Sequence, residues 1–520
     1  MFLIPVLPLC LITVRLSRRL PIFTPGEMLG LFPLILITTV TLAPVCIPLG
    51  MIYTVAVRTL HAGKSKRAIS IVYLLETAGS FAGGLLISLI LIPFFPPLTI
   101  AILLALLTAI SAGILRFSYK DHFRLSTLIP YIVICLTLLF ALVLSGPAAR
   151  TLNRIRWQKQ THLVSRYTPY GKISVLRSQN QYTIFQNDMP VASIPDRITA
   201  EKSVHYALLQ HTSPANILLF GGIPGTSIGE VLKHPTIKTV DCLHIDRLLI
   251  PTIKRVLPEK YTKIFNLPKV NIIFRDGREY IKNSSKKYDV IICNVPNPST
   301  AQLNRFYTRE FFSQVKSILT RRGVFSLTIE ASENAITPEQ ADLLGIIAST
   351  LRKVFPARII LPGKSVRFMA AANRAADLSS DPDTLTKRIK KRRLNTLYVS
   401  EYYLPYDISP ERKDYLRSRL ANAKTSIINS DLRPIGYYFD TILWTTYFSS
   451  ILNTLFQKAA GLSLVHVLVP AVFLILLFMI LISFYSRRDV RRSTGVSVVL
   501  SIVIIGFTEI SLEILLLLVF

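Results

Sequence analysis

Short apolar runs in the middle of the chain end in residues suited to holding a nucleotide-like ligand. Asn216-Ile-Leu-Leu-Phe220 runs into the glycine turn Gly221-Gly222-Ile-Pro-Gly225. A helical stretch follows through Glu230 to Lys233, and Thr239-Val-Asp-Cys-Leu-His244-Ile then ends at Asp246. Strand, glycine turn, helix and an acid about 20 positions on is the dinucleotide-type arrangement, with glycines permitting a tight turn and close backbone approach to a ligand. Two further strands end in Asp276-Gly277 and in Asn294. Polar strand ends are expected where a ligand lies in the crevice at the carboxyl edge of an open parallel sheet. A second set of candidate residues lies inside apolar segments: Glu76, and the pair Glu509 and Glu513, four apart and so on one helix face. Carboxylates within a bilayer point to a site for ions, protons or substrate, the alternative being a place near a helix end or a partner on a neighbouring helix. No metal is expected. Cys10, Cys46 and Cys135 fall in apolar spans, Cys242 and Cys293 fall in β-like runs, and no C-x-x-C or Cys/His cluster is present.

The elements that must position these residues follow from composition. The 520 residues are 51% hydrophobic and 17% charged, with a formal charge of +30 and a mean hydropathy of +0.44. A disordered chain is excluded, and an ordinary soluble enzyme does not fit. Oiliness and charge lie in different places. Residues 1–149 carry net +7, 464–520 net +1, and 150–463 net +22. Apolar runs near 29–57, 70–93, 98–116, 126–146, 464–485 and 494–520 each approach or exceed the roughly 17–25 residues that a bilayer-crossing helix needs, predicting six spans. Met1 to Val14 is too short to span, and its arginines follow the apolar run, so it reads as a partial helix rather than a secretory signal. Gly79 and Gly83 form a G-x-x-x-G pair suited to close helix packing. The abrupt end at Phe520 reads as a fragment of a longer frame. A multi-pass cell (inner) membrane protein is expected. The loops near Arg58, Arg116 and Arg487 share one side and hold eleven positive charges, mildly favouring an extracytoplasmic middle domain.

From Arg166 the pattern turns to short strands, with Lys172–Arg177 and Gln181–Asn187 reading as a β-hairpin ahead of a helix over Ala200–His211 and the βαβ units. The order of motifs in this region resembles the polyamine aminopropyltransferases, the spermidine synthase family, whose sheet is that of the class I S-adenosylmethionine methyltransferases. The likeness runs from about Tyr167 to Ala372. It rests on Gly221-Gly222, Glu230-Val-Leu-Lys-His-Pro235, His244-Ile-Asp246, Asp276-Gly-Arg-Glu-Tyr280, Tyr288-Asp-Val-Ile-Ile292, Tyr307-Thr-Arg-Glu-Phe311 and Arg322-Gly-Val. The flanks resemble membrane-fused spermidine-synthase-like proteins, whose helices are distantly similar to major facilitator transporters. The glycine-rich helix Glu76 to Gly84, the segment Pro298 to Tyr307 and the segment Asn429 to Pro434 carry that likeness. Together they imply a multi-pass α-helical membrane protein with an inserted α/β domain, a Rossmann-like methyltransferase-type sheet preceded by a small β-hairpin region. The expected limits are 1–149 for the first transmembrane region, 150–375 for the α/β domain, 376–463 for a basic and interfacial linker, and 464–520 for the second transmembrane region.

The resemblance implies decarboxylated S-adenosylmethionine or a related nucleoside as ligand, held by Gly221, Gly222, Gly225, His244, Asp246, Asp276 and Gly277. It also exposes departures. Pro224 stands where the family's glycine loop has an acid, and His244 stands where a Glu bonds both ribose hydroxyls. A neutral imidazole makes one such bond, not a bidentate pair. The family's D-S/T-S/T-D-P motif reads Asn294-Val-Pro-Asn297-Pro298. Asparagine neither titrates as a base nor neutralises an ammonium group. Tyr206 stands in place of an expected active-site Glu.

Three readings follow. The domain is a ligand-binding or regulatory module that has lost ordinary aminopropyl transfer, or a transferase with another acceptor in which Asn294, Asn297, Tyr206 or Tyr307 orient a nucleophile that needs no base. Otherwise it is an accessory to a transporter whose path is lined by Glu76, Glu509 and Glu513. The expected partners are the lipid bilayer and a small nucleoside or amine. The basic run Lys387 to Arg393 reads as a solvated helix face or as a contact for anionic lipid headgroups; nucleic acid is disfavoured, since no recognised module accompanies it. The aromatic stretch from Tyr437 is expected flat on the bilayer surface.

Overall fold

The computed structural model describes residues 2–17, 31–62, 68–118, 129–157, 160–221, 224–373, 378–423, 427–447 and 450–460, with a few scattered positions between 469 and 480. It divides into two compact units, residues 1–196 with 246–262, and 197–245 with 263–520.

The first unit holds five long helices: α1 (Leu3–Ser17), α2 (Leu31–Ala62), α3 (Ala68–Leu86, continued by a π-turn and a short helical end to Phe94), α4 (Pro97–Ser118) and α5 (Ile129–Arg156). Four stretches, Phe32–Leu60, Ile69–Phe94, Pro97–Arg116 and Ile129–Arg156, are long and apolar enough to cross a membrane. They coincide with the first four expected spans. The last two expected spans, with Glu509 and Glu513, lie outside the described residues. Ile4, Leu98, Ile102, Ala109 and Leu138 knit α1, α4 and α5 together, and Thr99 and Ser145 share a buried hydroxyl–hydroxyl bond of 2.9 Å. By contrast α2 and α3 present their large apolar side chains outward, Phe32, Leu74 and Phe81 among them. Such faces suit lipid rather than water. Glu76 is exposed on α3, and no atom lies within 4 Å of where a Cβ would stand on Gly79 or Gly83. Among the described residues, therefore, nothing occupies the G-x-x-x-G face.

The expected hairpin is larger than the sequence suggested. Four antiparallel strands, β1 (Thr161–Thr168), β2 (Gly171–Ser178), β3 (Gln181–Gln186) and β4 (Met189–Ile194), form a meander in that order. β1 and β4 escape sequence reading because polar and apolar residues do not alternate cleanly along them. Their pairing comes from long registers, such as Tyr167 opposite Lys172 and Tyr182 opposite Ile194. The helix α8 (Leu249–Val256) also belongs to this unit.

The second unit is an α/β domain. Its elements are α6 (Arg197–Leu208), β5 (Asn216–Phe220), α7 (Pro224–Leu232), β6 (Thr239–Leu243), β7 (Val270–Ile273), α9 (Gly277–Asn283), β8 (Tyr288–Cys293), α10 (Arg309–Ser317), β9 (Leu319–Glu330), α11 (Pro338–Val354), β10 (Ala357–Leu361) and β11 (Ser365–Ala371). The sheet runs β10-β11-β9-β8-β5-β6-β7. β5 to β9 are parallel, with β11 antiparallel to β9 and β10 to β11. This is the expected Rossmann-like, methyltransferase-type mixed sheet. The near-continuous apolar strands, such as Val290-Ile-Ile-Cys293, are buried on both faces, as central parallel strands must be.

The stretch expected as a linker, 376–463, is largely helical among its described residues. Four helices, α12 (Pro382–Lys391), α13 (Pro410–Ala421), α14 (Ile435–Thr445) and α15 (Ser450–Ala460), complete this unit. Leu416, Phe439, Ile442 and Leu443 join the same core as Phe311, Phe325 and Leu344. The stretch from Tyr437, expected on a bilayer surface, therefore turns its apolar side inward, because Gly436, Phe439, Ile442 and Leu443 recur at helical spacing. Arg392, part of the expected basic face, is likewise engaged. It donates to the carbonyls of Leu208 and Thr212 at 2.9 and 3.1 Å. Glu201 of α6 accepts the backbone N–H groups of Leu397, Tyr398 and Val399 at 2.7–3.1 Å, securing the chain that follows α12.

Candidate functional site

The parallel strands of the second unit bring most of the singled-out residues to one edge. Gly221 follows β5, His244 follows β6, Asp276 lies just past β7, Asn294 and Asn297 follow β8, and Glu330 ends β9. The turn after β5 requires glycine. Gly221 has φ +77°, and a Cβ there would stand 2.5–2.6 Å from the backbone of Asn294 and Val295. No side chain fits that approach. The contact fastens the turn to the β8 loop, and the Asn294 N–H donates to the Phe220 carbonyl at 2.8 Å. Gly222 lies outside the described residues, and Gly225 falls in the first turn of α7. Gly277 is under no such constraint, since a Cβ would meet only ring atoms of Phe306 and Phe220 at 3.5–3.6 Å.

The acids expected to face a nucleoside are already engaged. One oxygen of Asp276 caps α9, accepting from the N–H groups of Arg278 and Glu279 at 3.0 Å each; the other pairs with Arg305. Both arrangements suit an acid at a helix start. Beside it an open cleft of about 470 Å³ is lined by Arg278, Lys282, Arg305 and Asp431 among others, with Arg278 and Asp431 paired across it. Asp246 belongs to the first unit. It is buried, accepting from the Thr168 hydroxyl at 2.7 Å and the Leu248 N–H at 2.8 Å. His244 extends β6, and its N–H donates to the Ile273 carbonyl at 3.0 Å.

Tyr206 and Tyr307, expected as catalytic groups, are buried and already donate their hydroxyl protons. Tyr206 gives its own to Asp407 at 2.8 Å. Burial and the Asp407 charge hold its pKa well above the usual tyrosine range. Tyr307 donates to the carbonyls of Val295 and Pro296 at 3.1 and 2.8 Å, and burial raises it likewise. Tyr307 thus braces the Asn294–Pro298 loop from beneath. Both hydroxyl protons are thus committed within the fold. Asn294 and Asn297 are half-buried on that loop, and Asn297 fixes its end by accepting the Glu330 N–H through Oδ1 at 2.9 Å.

One residue that sequence reading passed over stands beside this loop. Asp440 of α14 is 1% exposed, and neither carboxylate oxygen has a hydrogen-bond partner. Burial pushes its pKa up to about 6; the polar side chains of Asn297 and Trp444 offset part of that, and the Glu330 charge adds to it. Its helix is held by Asn429, fully buried, which donates through Nδ2 to Asn304 and the Tyr307 carbonyl and accepts the Gly436 N–H at 3.0–3.1 Å. The signal in the sequence was an acid four residues after Gly436 and three before Leu443, on the inward stripe of an otherwise apolar helix.

Among known proteins, residues 197–360 match the spermine/spermidine synthase domain family. The polyamine aminopropyltransferase of Pyrobaculum calidifontis is 26% identical over 242 residues, covering 45% of this chain and 83% of that protein. That of Sulfurisphaera tokodaii is 31% identical over 199 residues, covering 38% and 60%. A solved spermidine synthase from Thermotoga maritima aligns with 50% of this chain and 88% of its own at 19% identity and a TM-score of 0.41. The spermidine synthase-like segment is thus part of the chain, and α12 to α15 lie beyond the family match.

Proposed function

We propose that this chain is a membrane-anchored aminopropyltransferase-type module that binds a nucleoside ligand, decarboxylated S-adenosylmethionine or a relative, at the carboxyl edge of its parallel sheet. In this reading it does not perform ordinary aminopropyl transfer from the β8 loop. The observation that carries it is the pair Asn294 and Asn297 on that loop. One is secured through its backbone to β5 and the other through its side chain to β9. Neither has a carboxylate to take a proton from an attacking amine, a contribution of typically 10²–10⁴ in rate. The four long apolar helices support anchoring in a bilayer. Attraction of the exposed Lys387, Lys390 and Lys391 to anionic lipid headgroups is part of the same proposal.

Calorimetric titration of the purified full chain in detergent tests the reading. Decarboxylated S-adenosylmethionine or 5′-methylthioadenosine is expected to bind, with no aminopropyl transfer to 1,4-diaminobutane above background. Failure of both nucleosides to bind overturns the ligand; robust transfer overturns the loss of ordinary activity.

A further inference from the structure

Asp440 is an anomaly that the packing of the domain does not explain. A buried carboxylate without partners is costly, and such a group calls for a specific reason. Two other acids at this edge have one: Asp276 has a helix start and Arg305, and Asp431 has Arg278. Asp440 has only Asn297, Trp444 and a repelling charge from Glu330. The Asn297 side chain has its oxygen committed to the Glu330 N–H, so its amide nitrogen is the end left for a carboxylate. Tyr307, which feels the Asp440 charge, has its proton committed to the loop carbonyls. On α11, which packs along α14, Glu339 is occupied by Gln457 of α15. Among the described residues, the titratable groups facing Asp440 are therefore Glu330 and Tyr307, and neither supplies positive charge. Trp444 lies one helical turn further along α14, on the same side and 37% exposed. A partly exposed indole thus lies beside the acid.

We infer that Asp440 is a binding residue for a cationic amine, supplying from α14 the carboxylate that the Asn294–Pro298 loop lacks. An ammonium group offers what the site is short of: positive charge, and several N–H donors for two carboxylate oxygens that lack them. A protonated amine next to a buried carboxylate recovers in Coulomb energy part of what burial costs. The assignment shares the sheet edge with the nucleoside reading above but does not use the nucleoside contacts, so the two fail separately.

The test is titration of the full chain in detergent with 1,4-diaminobutane, alongside 5′-methylthioadenosine as a control for the nucleoside pocket. The amine is expected to bind at about pH 7.5 and roughly tenfold more weakly at about pH 5, where Asp440 takes up its proton. Asp440→Asn is expected to weaken amine binding roughly 30-fold or more while leaving nucleoside binding unchanged. Absence of amine binding to the wild type, a pH-independent affinity, or equal affinity in Asp440→Asn each overturns the inference. Where Asp440→Asn fails to fold, the wild-type pH profile alone decides. Loss of nucleoside binding with amine binding intact would instead sink the nucleoside reading and leave Asp440 standing.

Discussion

Asp241 on β6 and Asp440 on α14 are both almost wholly buried, at 2% and 1% exposure, yet they are opposites. Asp241 receives Asn271, Lys286 and Tyr288 at 2.6–2.8 Å. Burial alone would raise its pKa, but those three donors hold it below the ordinary carboxylate range. Asp440 has only Asn297 and Trp444 nearby, neither in hydrogen-bond geometry with its oxygens, and stands near 6. Burial is therefore not what separates a structural acid from a candidate binding acid; the supply of donors is. The Asp241 site is complete without a ligand. Among the described residues, no cationic side chain pairs with Asp440.

The rigid frame gives the largest way to break this contrast. Gly221→Ala sets a Cβ against the Asn294 backbone at a positive φ. It should destabilise the α/β unit by about 2–5 kcal/mol and displace the β8 loop from beside Asp440. Thermal unfolding followed by circular dichroism, together with loss of amine binding, checks it. Next, Asp241→Asn strips a carboxylate from two donors that remain buried or half-buried. With Lys286 partly in solvent, a loss of about 2–3 kcal/mol is expected, with amine binding retained.

Asp440→Asn should act in the opposite direction. Its folded pKa, about 6, lies above the unfolded value of 3.8, so the native state holds the proton more tightly. Its stabilising contribution is present below about pH 4 and is lost as pH rises through about 6. Replacing it by a neutral amide should therefore raise the melting temperature at neutral pH, by the equivalent of about 2–3 kcal/mol, and change little at about pH 4. A destabilised variant at neutral pH would show that Asp440 has structural partners after all. The smallest effect belongs to Asp276→Ala, which removes a helix cap and a half-exposed pair with Arg305; about 1 kcal/mol is expected from the unfolding midpoint in urea.

The sheet was legible because its strands are short apolar runs with polar ends. Asn216–Phe220, Val270–Ile273 and Tyr288–Cys293 all lie where periodicity puts them. So were the four long apolar helices that follow α1, by length and hydropathy. The engagement of Asp276 was not legible, because Arg305 reaches it from 29 positions away and no local pattern encodes that pairing. Nor was the role of α14. Tyr437-Tyr-Phe-Asp-Thr-Ile-Leu-Trp reads equally as an interfacial segment until Phe439 and Leu443 find Phe311 and Leu344 across the core. The same long-range packing that hides α14 from the sequence places Asp440 beside a loop that has asparagines where the resemblance leads one to expect acids.

The central claim is that Asp440 exchanges a proton for a cation, and proton release on amine binding tests it most directly. Titrating 1,4-diaminobutane near pH 6 in buffers of different ionisation enthalpy should show about half a proton released per amine bound by the wild type, and none by Asp440→Asn. Amine binding without proton release, or the same release from the variant, would contradict the account.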